Sequence, residues 1–196
     1  MKTKFLLAGV LSALVLFTGC DSKSEIDENL IANVKKNKPV EKQFVEKTFK
    51  LTTTDGKTIE LKNTKENGLI FKDFIGKKAV LVDVFATWCP PCIKSIPTLN
   101  ELRAKYGNDF EIVSVLFEKP EDKPKKEILE FISKYGITYP ITYGEENFNL
   151  AKALGNVQKI PELFLFDKNG NFVRKFVGEN EKETFEKYIK IAIDKK

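Results

Sequence analysis

Two cysteines separated by two prolines are the residues of this chain best suited to chemistry. Cys89, Pro90, Pro91 and Cys92 form a Cys-x-x-Cys motif, a spacing at which two thiols can form and break a disulfide bond. Cysteine pairs also bind zinc, but a structural zinc site needs four ligands and this sequence contains no histidine. The sequence therefore favours dithiol chemistry and predicts no metal site.

The residues around the pair predict a strand that leads into a helix. Residues 79–85 form a short, apolar and β-branched run that is typical of a central strand, interrupted only by Asp83. Ile93, Ile96 and Leu99 then recur at helical spacing. The cysteine pair is therefore expected at the start of a helix, directly after a buried strand.

Position at a helix start assigns different roles to the two thiols. The free N–H groups and positive dipole end of a helix favour a thiolate, so Cys89 is expected to be the nucleophile, with a pKa below the ~8.5 of a free cysteine. Cys92, one turn further in, is expected to be less exposed and to resolve the mixed disulfide. Pro90 and Pro91 lack N–H groups, which favours a reducing couple nearer about −270 mV than about −120 mV.

Features on both sides of the motif resemble the thioredoxin superfamily. These are the apolar strand, Trp88 beside the pair, Pro97 inside the helix, and Ile160-Pro161 before a second apolar run. The resemblance extends from Thr48 to the C-terminus and is nearest to the membrane-tethered branch of TlpA, ResA and CcmG. It implies a thioredoxin-like α/β fold, with a central mixed sheet flanked by helices, an N-terminal hairpin and a middle insertion. It also implies that Pro161 is a cis-proline facing the cysteines.

The resemblance assigns a proton acceptor to the site. Asp83 occupies the place of the buried acid of thioredoxin, and burial should raise its pKa so that it can accept the proton of Cys92. The alternative is an acid at a strand edge that reaches solvent. ResA-like and CcmG-like proteins tend to carry a glutamate at the position of Ser95, so that role is not transferred.

The substrate is expected to lie along a groove beside the motif. The predicted contact residues are Trp88, Pro90, Pro91, Ile160, Pro161 and Glu162. Pro161-Glu162 resembles the Pro-Glu of CcmG-like proteins, which favours apocytochrome c as the substrate. A glutamate exposed on a loop is the plain alternative for Glu162.

The N-terminus has the layout of a bacterial lipoprotein. Lys2 and Lys4 precede an apolar run over residues 5–17, and Thr18-Gly19-Cys20 follows. We expect a signal peptide over residues 1–19, lipid on Cys20 and a polar tether over 20–47, followed by the thioredoxin-like domain over 48–196. The domain would face the periplasm or cell exterior, and Asp21 favours retention in the inner membrane.

The rest of the chain predicts the elements that frame the site. Residues 48–61 read as a hairpin turning at Asp55-Gly56, residues 71–76 as a connection, and 118–126 as a solvated charged loop. A buried strand is predicted at 110–117, and strands joined by a turn are predicted at 163–166 and 172–177. Helical segments are predicted at 128–135 and 148–154, a short extended segment at 137–143, and a closing amphipathic helix at 181–193.

These features favour a membrane-anchored reductase of protein disulfides, recharged by a membrane carrier of the CcdA or DsbD type and needing no cofactor. A disulfide oxidase or isomerase and a non-catalytic interaction module are the alternatives. No dimerisation element is apparent, so a monomer is expected. The net charge of +5 is spread along the chain, which argues against nucleic-acid binding.

Overall fold

The computed structural model describes residues 45–195. The predicted signal peptide, Cys20 and all but the end of the predicted tether lie outside these residues. No helix in this part of the chain is long and apolar enough to cross a membrane.

One mixed sheet of eight strands organises the described residues, in the order β3-β2-β1-β6-β5-β4-β7-β8. The central strand β4 pairs in parallel with β5 and antiparallel with β7. The strands are β1 (Thr48–Thr53), β2 (Thr58–Asn63), β3 (Leu69–Phe71), β4 (Ala79–Phe85), β5 (Phe110–Leu116), β6 (Ile141–Tyr143), β7 (Glu162–Phe166) and β8 (Phe172–Val177). The helices are α1 (Pro90–Tyr106), α2 (Lys125–Tyr135), α3 (Glu146–Ala153) and α4 (Lys182–Asp194).

Every residue of β4 is buried because helices cover the sheet on both faces. Side chains alternate along a strand, so Leu81 and Phe85 pack on one face with α1, α2 and α4. Val82 and Val84 pack on the other face against α3. Apolar side chains on both sides explain why the strand reads as a nearly continuous apolar run.

The α/β architecture expected from the sequence is confirmed, including the mixed sheet and the N-terminal hairpin β1–β2. Between β5 and β7, where an insertion was expected, the chain forms α2, β6 and α3. The sheet and the four helices position the cysteine motif at the C-terminal end of β4.

Two local boundaries differ from the predictions. Residues 69–71 form the strand β3, so the predicted connection over 71–76 begins one residue later, because Leu69 and Phe71 are buried and Phe71 pairs with Leu61 of β2. Helix α2 begins at Lys125, inside the predicted loop, directly after Pro124. Ile128 and Phe131 anchor this helix in the core while its charged residues face solvent.

A buried amide joins the ends of β5 and β6. Asn147 of α3 is fully buried, and its Nδ2 donates to the carbonyls of Leu116 at 2.8 Å and Thr142 at 2.9 Å. Its Oδ1 accepts from the Thr142 hydroxyl at 3.0 Å. The strand that follows α2 is thereby fixed beside β5.

We expect Asn147→Ala to lower the free energy of unfolding by about 2–3 kcal/mol, because it leaves buried carbonyl groups without donors. Asn149→Ala on the same helix is the control, since the Asn149 amide is exposed and contacts only Glu146. The control should change stability by no more than about 0.5 kcal/mol. Urea unfolding of both variants checks this, and equal losses would contradict it.

Candidate active site

The cysteine motif forms the junction between β4 and α1. Cys89 is the N-cap residue of α1, and its N–H donates to the Ala86 carbonyl at 3.2 Å, which closes the turn that leaves the strand. A disulfide bond joins Cys89 to Cys92, with the two Cα atoms 5.3 Å apart. The two cysteines are therefore already paired as the spacing predicted.

The first turn of α1 offers the Cys89 sulfur one backbone donor. Pro90 and Pro91 occupy the first helical positions and have no N–H group. The Cys92 N–H points to Cys89 Sγ at 3.3 Å. The first turn also contains no acidic residue that would oppose a thiolate. The helix end thus favours negative charge on Cys89, but with fewer donors than an ordinary helix start provides.

The expected difference in exposure between the two cysteines is not present in the disulfide form. Cys89 is 2% exposed and Cys92 is 5% exposed. Both belong to the core cluster between the sheet and α1, because the bond holds both sulfurs against that cluster. Trp88, by contrast, is 67% exposed, so an indole ring open to solvent lies directly beside the pair in the sequence.

Asp83 is buried on the cysteine face of the sheet. Its side chain is on the same face as Leu81 and Phe85, which belong to the cluster containing both cysteines. The Ser114 hydroxyl donates to Asp83 Oδ2 at 2.8 Å. Burial raises the pKa of Asp83 to about 6, and this hydrogen bond partly opposes the rise. The alternative of a strand-edge acid in solvent is excluded.

Ser95 cannot supply a carboxylate, and its hydroxyl instead donates to the Pro91 carbonyl at 3.0 Å within α1. Pro97 lies inside this helix, as expected. Neither residue offers a second proton acceptor in the helix.

The Ile160–Pro161 peptide bond is cis, as the resemblance implied. Glu162 pairs with Val84, so Pro161 and Ile160 border the end of β4 that runs into the motif. Ile160 is partly buried against the cluster that contains the cysteines, and Pro161 itself is buried. This segment and the cysteine motif thus lie at the same edge of the sheet.

Glu162 was expected to contact the substrate, but its side chain is buried inside the protein. It begins β7, is buried, and shares the sheet face of Phe164, opposite to the cysteines. Its Oε2 lies 2.7 Å from Lys175 Nζ, in an ion pair whose geometry is not that of a directed hydrogen bond. An exposed loop glutamate is therefore excluded, and only the backbone of Glu162 borders the motif.

Glu118 contributes to the site although its segment was expected to be a solvated loop. Its carboxylate accepts hydrogen bonds from the Thr87 N–H and, at 3.2 Å, from the Thr87 hydroxyl. Glu118 follows β5 and Thr87 follows β4, and the C-terminal ends of parallel strands meet at one edge of a sheet. The parallel pairing of these two strands is the signal that could have identified the contact.

A groove runs from Thr87 along α2. Phe131 and Tyr135 contribute its aromatic part, and Lys123, Lys126, Glu127, Glu130 and Lys134 line its charged part. Among the described residues, no group of three or more His, Cys, Asp or Glu side chains is arranged to hold a metal ion.

This chain is similar to known proteins in sequence and in fold. The family model Redoxin matches residues 35–191. The thiol-disulfide oxidoreductase ResA of Bacillus thuringiensis (strain Al Hakam) is 34% identical over 145 residues, covering 72% of this chain and 73% of that protein. The structure of a putative thiol:disulfide interchange protein DsbE from Chlorobium tepidum aligns with a TM-score of 0.59 and 26% identity, covering 75% of this chain and 94% of that chain. The exposed lipoprotein thioredoxin of Streptococcus pneumoniae strain TIGR4 aligns with a TM-score of 0.55 and 27% identity, covering 74% and 99%.

The raised pKa of Asp83 predicts a pH-dependent cost to stability. The folded state keeps this proton up to a pH of about 6, whereas the unfolded chain releases it near the ordinary value of 3.8, so stability falls as the pH rises between these values. Asp83→Asn should therefore stabilise the oxidised protein by roughly 3 kcal/mol at pH 7.5 and have little effect at pH 3.5. Urea unfolding at both pH values tests this, and an equal effect at both would contradict it.

Proposed function

The chain belongs to the Redoxin family and is a thiol-disulfide oxidoreductase, and we propose that it reduces disulfide bonds of exported proteins through the Cys89–Cys92 dithiol. The observation that carries this proposal is a disulfide at the start of α1 with a buried carboxyl on the same face of the sheet. A dithiol that exchanges with a substrate disulfide needs a stabilised nucleophile and a nearby proton acceptor.

The first step is attack by the Cys89 thiolate on one sulfur of a substrate disulfide. A new bond forms between Cys89 Sγ and that sulfur, and the other substrate sulfur leaves as a thiolate that takes a proton from water. The helix dipole and the Cys92 N–H stabilise the attacking thiolate. The exposed Trp88 ring next to Cys89 provides an apolar surface for the approaching chain.

The second step releases the substrate. The Cys92 thiol transfers its proton to the Asp83 carboxylate, and the resulting thiolate attacks Cys89 Sγ. The bond between Cys89 and the substrate breaks, the Cys89–Cys92 bond forms, and the second substrate sulfur leaves as a thiolate. Two electrons thus pass from the dithiol to the substrate, and Asp83 can accept the proton once the pH exceeds its pKa of about 6.

The direction of electron flow follows from how weakly the thiolate is stabilised. A disulfide becomes more oxidising as its reduced form gains stabilisation, and each backbone donor to the thiolate adds to that stabilisation. Pro90 and Pro91 leave the Cys92 N–H as the donor from the first turn. This supports a reducing couple and therefore a reductase.

The substrate backbone is proposed to pair with the Ile160 segment. Within residues 45–195, the N–H and C=O of Ile160 make no backbone hydrogen bond, so both remain available for an extended chain. Trp88, Pro90, Pro91 and Pro161 would flank that chain. We retain apocytochrome c as the proposed substrate because of the Pro161-Glu162 resemblance, although the buried carboxylate of Glu162 would not contact it.

The domain is further proposed to be held at a membrane surface by a lipid anchor. Lipid on Cys20 would hold the domain outside the cytoplasm, and one similar structure is that of an exposed lipoprotein. A monomer at that surface, with the inner membrane as the proposed site, would receive electrons from a membrane carrier of the CcdA or DsbD type.

We predict that Cys92→Ser traps substrates on Cys89, because the mixed disulfide can no longer be resolved. The trapped adducts should appear on non-reducing gels of cells expressing this variant, and mass spectrometry should identify c-type apocytochromes among them. The matched variant Cys89→Ser lacks the nucleophile and should trap none.

The two results separate the parts of the proposal. Adducts without apocytochromes would contradict the proposed substrate and leave the exchange reaction standing. Adducts on Cys89→Ser but not on Cys92→Ser would reverse the roles of the two thiols.

A further inference from the structure

A pair of buried hydroxyl groups, those of Ser114 and Tyr139, lies beside Asp83, and nothing in the reaction described above uses it. Ser114 is 1% exposed and Tyr139 is 5% exposed. We infer that this hydroxyl pair consists of positioning residues that hold the Asp83 carboxyl in place and keep it ionised as the acceptor of the Cys92 proton. This inference rests on the role of Asp83 in the proposed function.

The sheet register places the Ser114 side chain next to the Asp83 carboxyl. Asp83 of β4 and Ser114 of β5 are register partners on adjacent parallel strands. Their side chains lie on the same face, and the Ser114 hydroxyl donates to Asp83 Oδ2 at 2.8 Å. The Ser114 N–H is itself bonded to the Pro140 carbonyl at 3.0 Å, which fixes Ser114 next to the residue following Tyr139.

Tyr139, the second hydroxyl of the pair, lies two residues before β6. Tyr139 is buried in the core cluster on this face of the sheet and directly precedes Pro140, whose carbonyl accepts from the Ser114 N–H. A serine hydroxyl has one proton, and Ser114 donates it to Asp83 Oδ2, so in the inferred pair the Tyr139 phenol would bond to Ser114 Oγ as the donor. Burial and the nearby carboxylate raise the pKa of Tyr139, so the phenol remains a donor at every working pH.

Within the described residues, no other polar group contributes to stabilising the Asp83 carboxylate. The shift of the Asp83 pKa has two causes, burial and the Ser114 hydrogen bond, and no lysine or arginine contributes. The neighbouring elements face this region with the cysteines of α1 and with apolar side chains, namely Leu163 and Leu165 of β7 and Phe185 and Ile189 of α4. Ionisation of Asp83 is therefore favoured directly by the Ser114 hydroxyl, and Tyr139 would act through Ser114.

The consequence concerns the release step. If Ser114 stopped donating, the neutral carboxyl would be favoured, and a protonated Asp83 cannot accept the proton of Cys92. Resolution of the mixed disulfide would then require a higher pH. Attack by Cys89, which precedes this proton transfer, would not depend on Ser114.

The test measures the pH dependence of substrate reduction in a single turnover. The full chain with Cys20→Ser, so that two thiols remain, is reduced and mixed with excess insulin between pH 5 and pH 9. Trp88 is the single tryptophan of the chain and adjoins Cys89, so its fluorescence reports disulfide formation. We expect Ser114→Ala to move the acid limb of the profile up by about one pH unit, which is about a tenfold loss of rate on that limb. The rate at pH 9 should stay unchanged.

Three further variants define the cause. Ser114→Thr keeps a hydroxyl and should restore the profile, and Tyr139→Phe should shift it in the same direction by less. Thr53→Val removes a hydroxyl that bonds Asp55 and Lys57 on β1, far from Asp83 in the sheet, and should leave the profile in place. Carboxyl ¹³C NMR of the oxidised variants should show the same shifts in the titration of Asp83.

Asp83→Asn distinguishes the role of the hydroxyl pair from the proposed role of Asp83 as proton acceptor. Loss of the acid limb in this variant together with an upward shift in Ser114→Ala supports both. Loss of the limb with an unshifted profile and an unshifted Asp83 titration in Ser114→Ala overturns the role of the hydroxyl pair alone. An acid limb that survives Asp83→Asn overturns the acceptor role of Asp83 and the inference together.

Discussion

Burying one carboxyl inside the central strand is the constraint on which the site depends. Strands on both sides of β4 and helices on both faces keep Asp83 out of water. Because water cannot solvate the carboxylate, the hydrogen bond from the Ser114 hydroxyl stabilises its negative charge. A buried carboxylate lowers the free energy of unfolding at neutral pH, and that free energy is small in an ordinary protein. The position is understandable if the carboxyl serves chemistry, and the cysteine face is where a proton acceptor is needed.

The second constraint is electrostatic and lies at the start of α1. The helix end attracts negative charge to Cys89, whereas Pro90 and Pro91 remove two of the donors that would stabilise it. In the proposed reductase, this arrangement would activate Cys89 as the nucleophile without making the reduced state so stable that the disulfide becomes a strong oxidant. Glu118 anchors Thr87 at the same junction, so the loop that presents Trp88 and Cys89 is fixed from the neighbouring strand.

Local patterns predicted the elements and residues whose roles are local. The apolar run of β4, the Cys-x-x-Cys spacing and the helix after it are adjacent in the chain, and the burial of Asp83 follows from its position in such a strand. Apart from Pro161, which the resemblance placed beside the cysteines, contacts between distant residues were not predicted. Glu118, Ser114 and Tyr139 reach the site only through the parallel pairing of β4 with β5 and the return of the chain at β6. The face occupied by Glu162 was equally hidden, because β7 is buried on both sides and shows no alternation.

The reduction potential of the Cys89–Cys92 couple tests the central claim most directly. The full chain with Cys20→Ser can be equilibrated with mixtures of reduced and oxidised glutathione or dithiothreitol, with Trp88 fluorescence reporting the oxidised fraction. A potential near about −270 mV would be the result expected of a reductase with a sparsely stabilised thiolate. A value near about −120 mV would contradict the account, because such a couple would oxidise its partners.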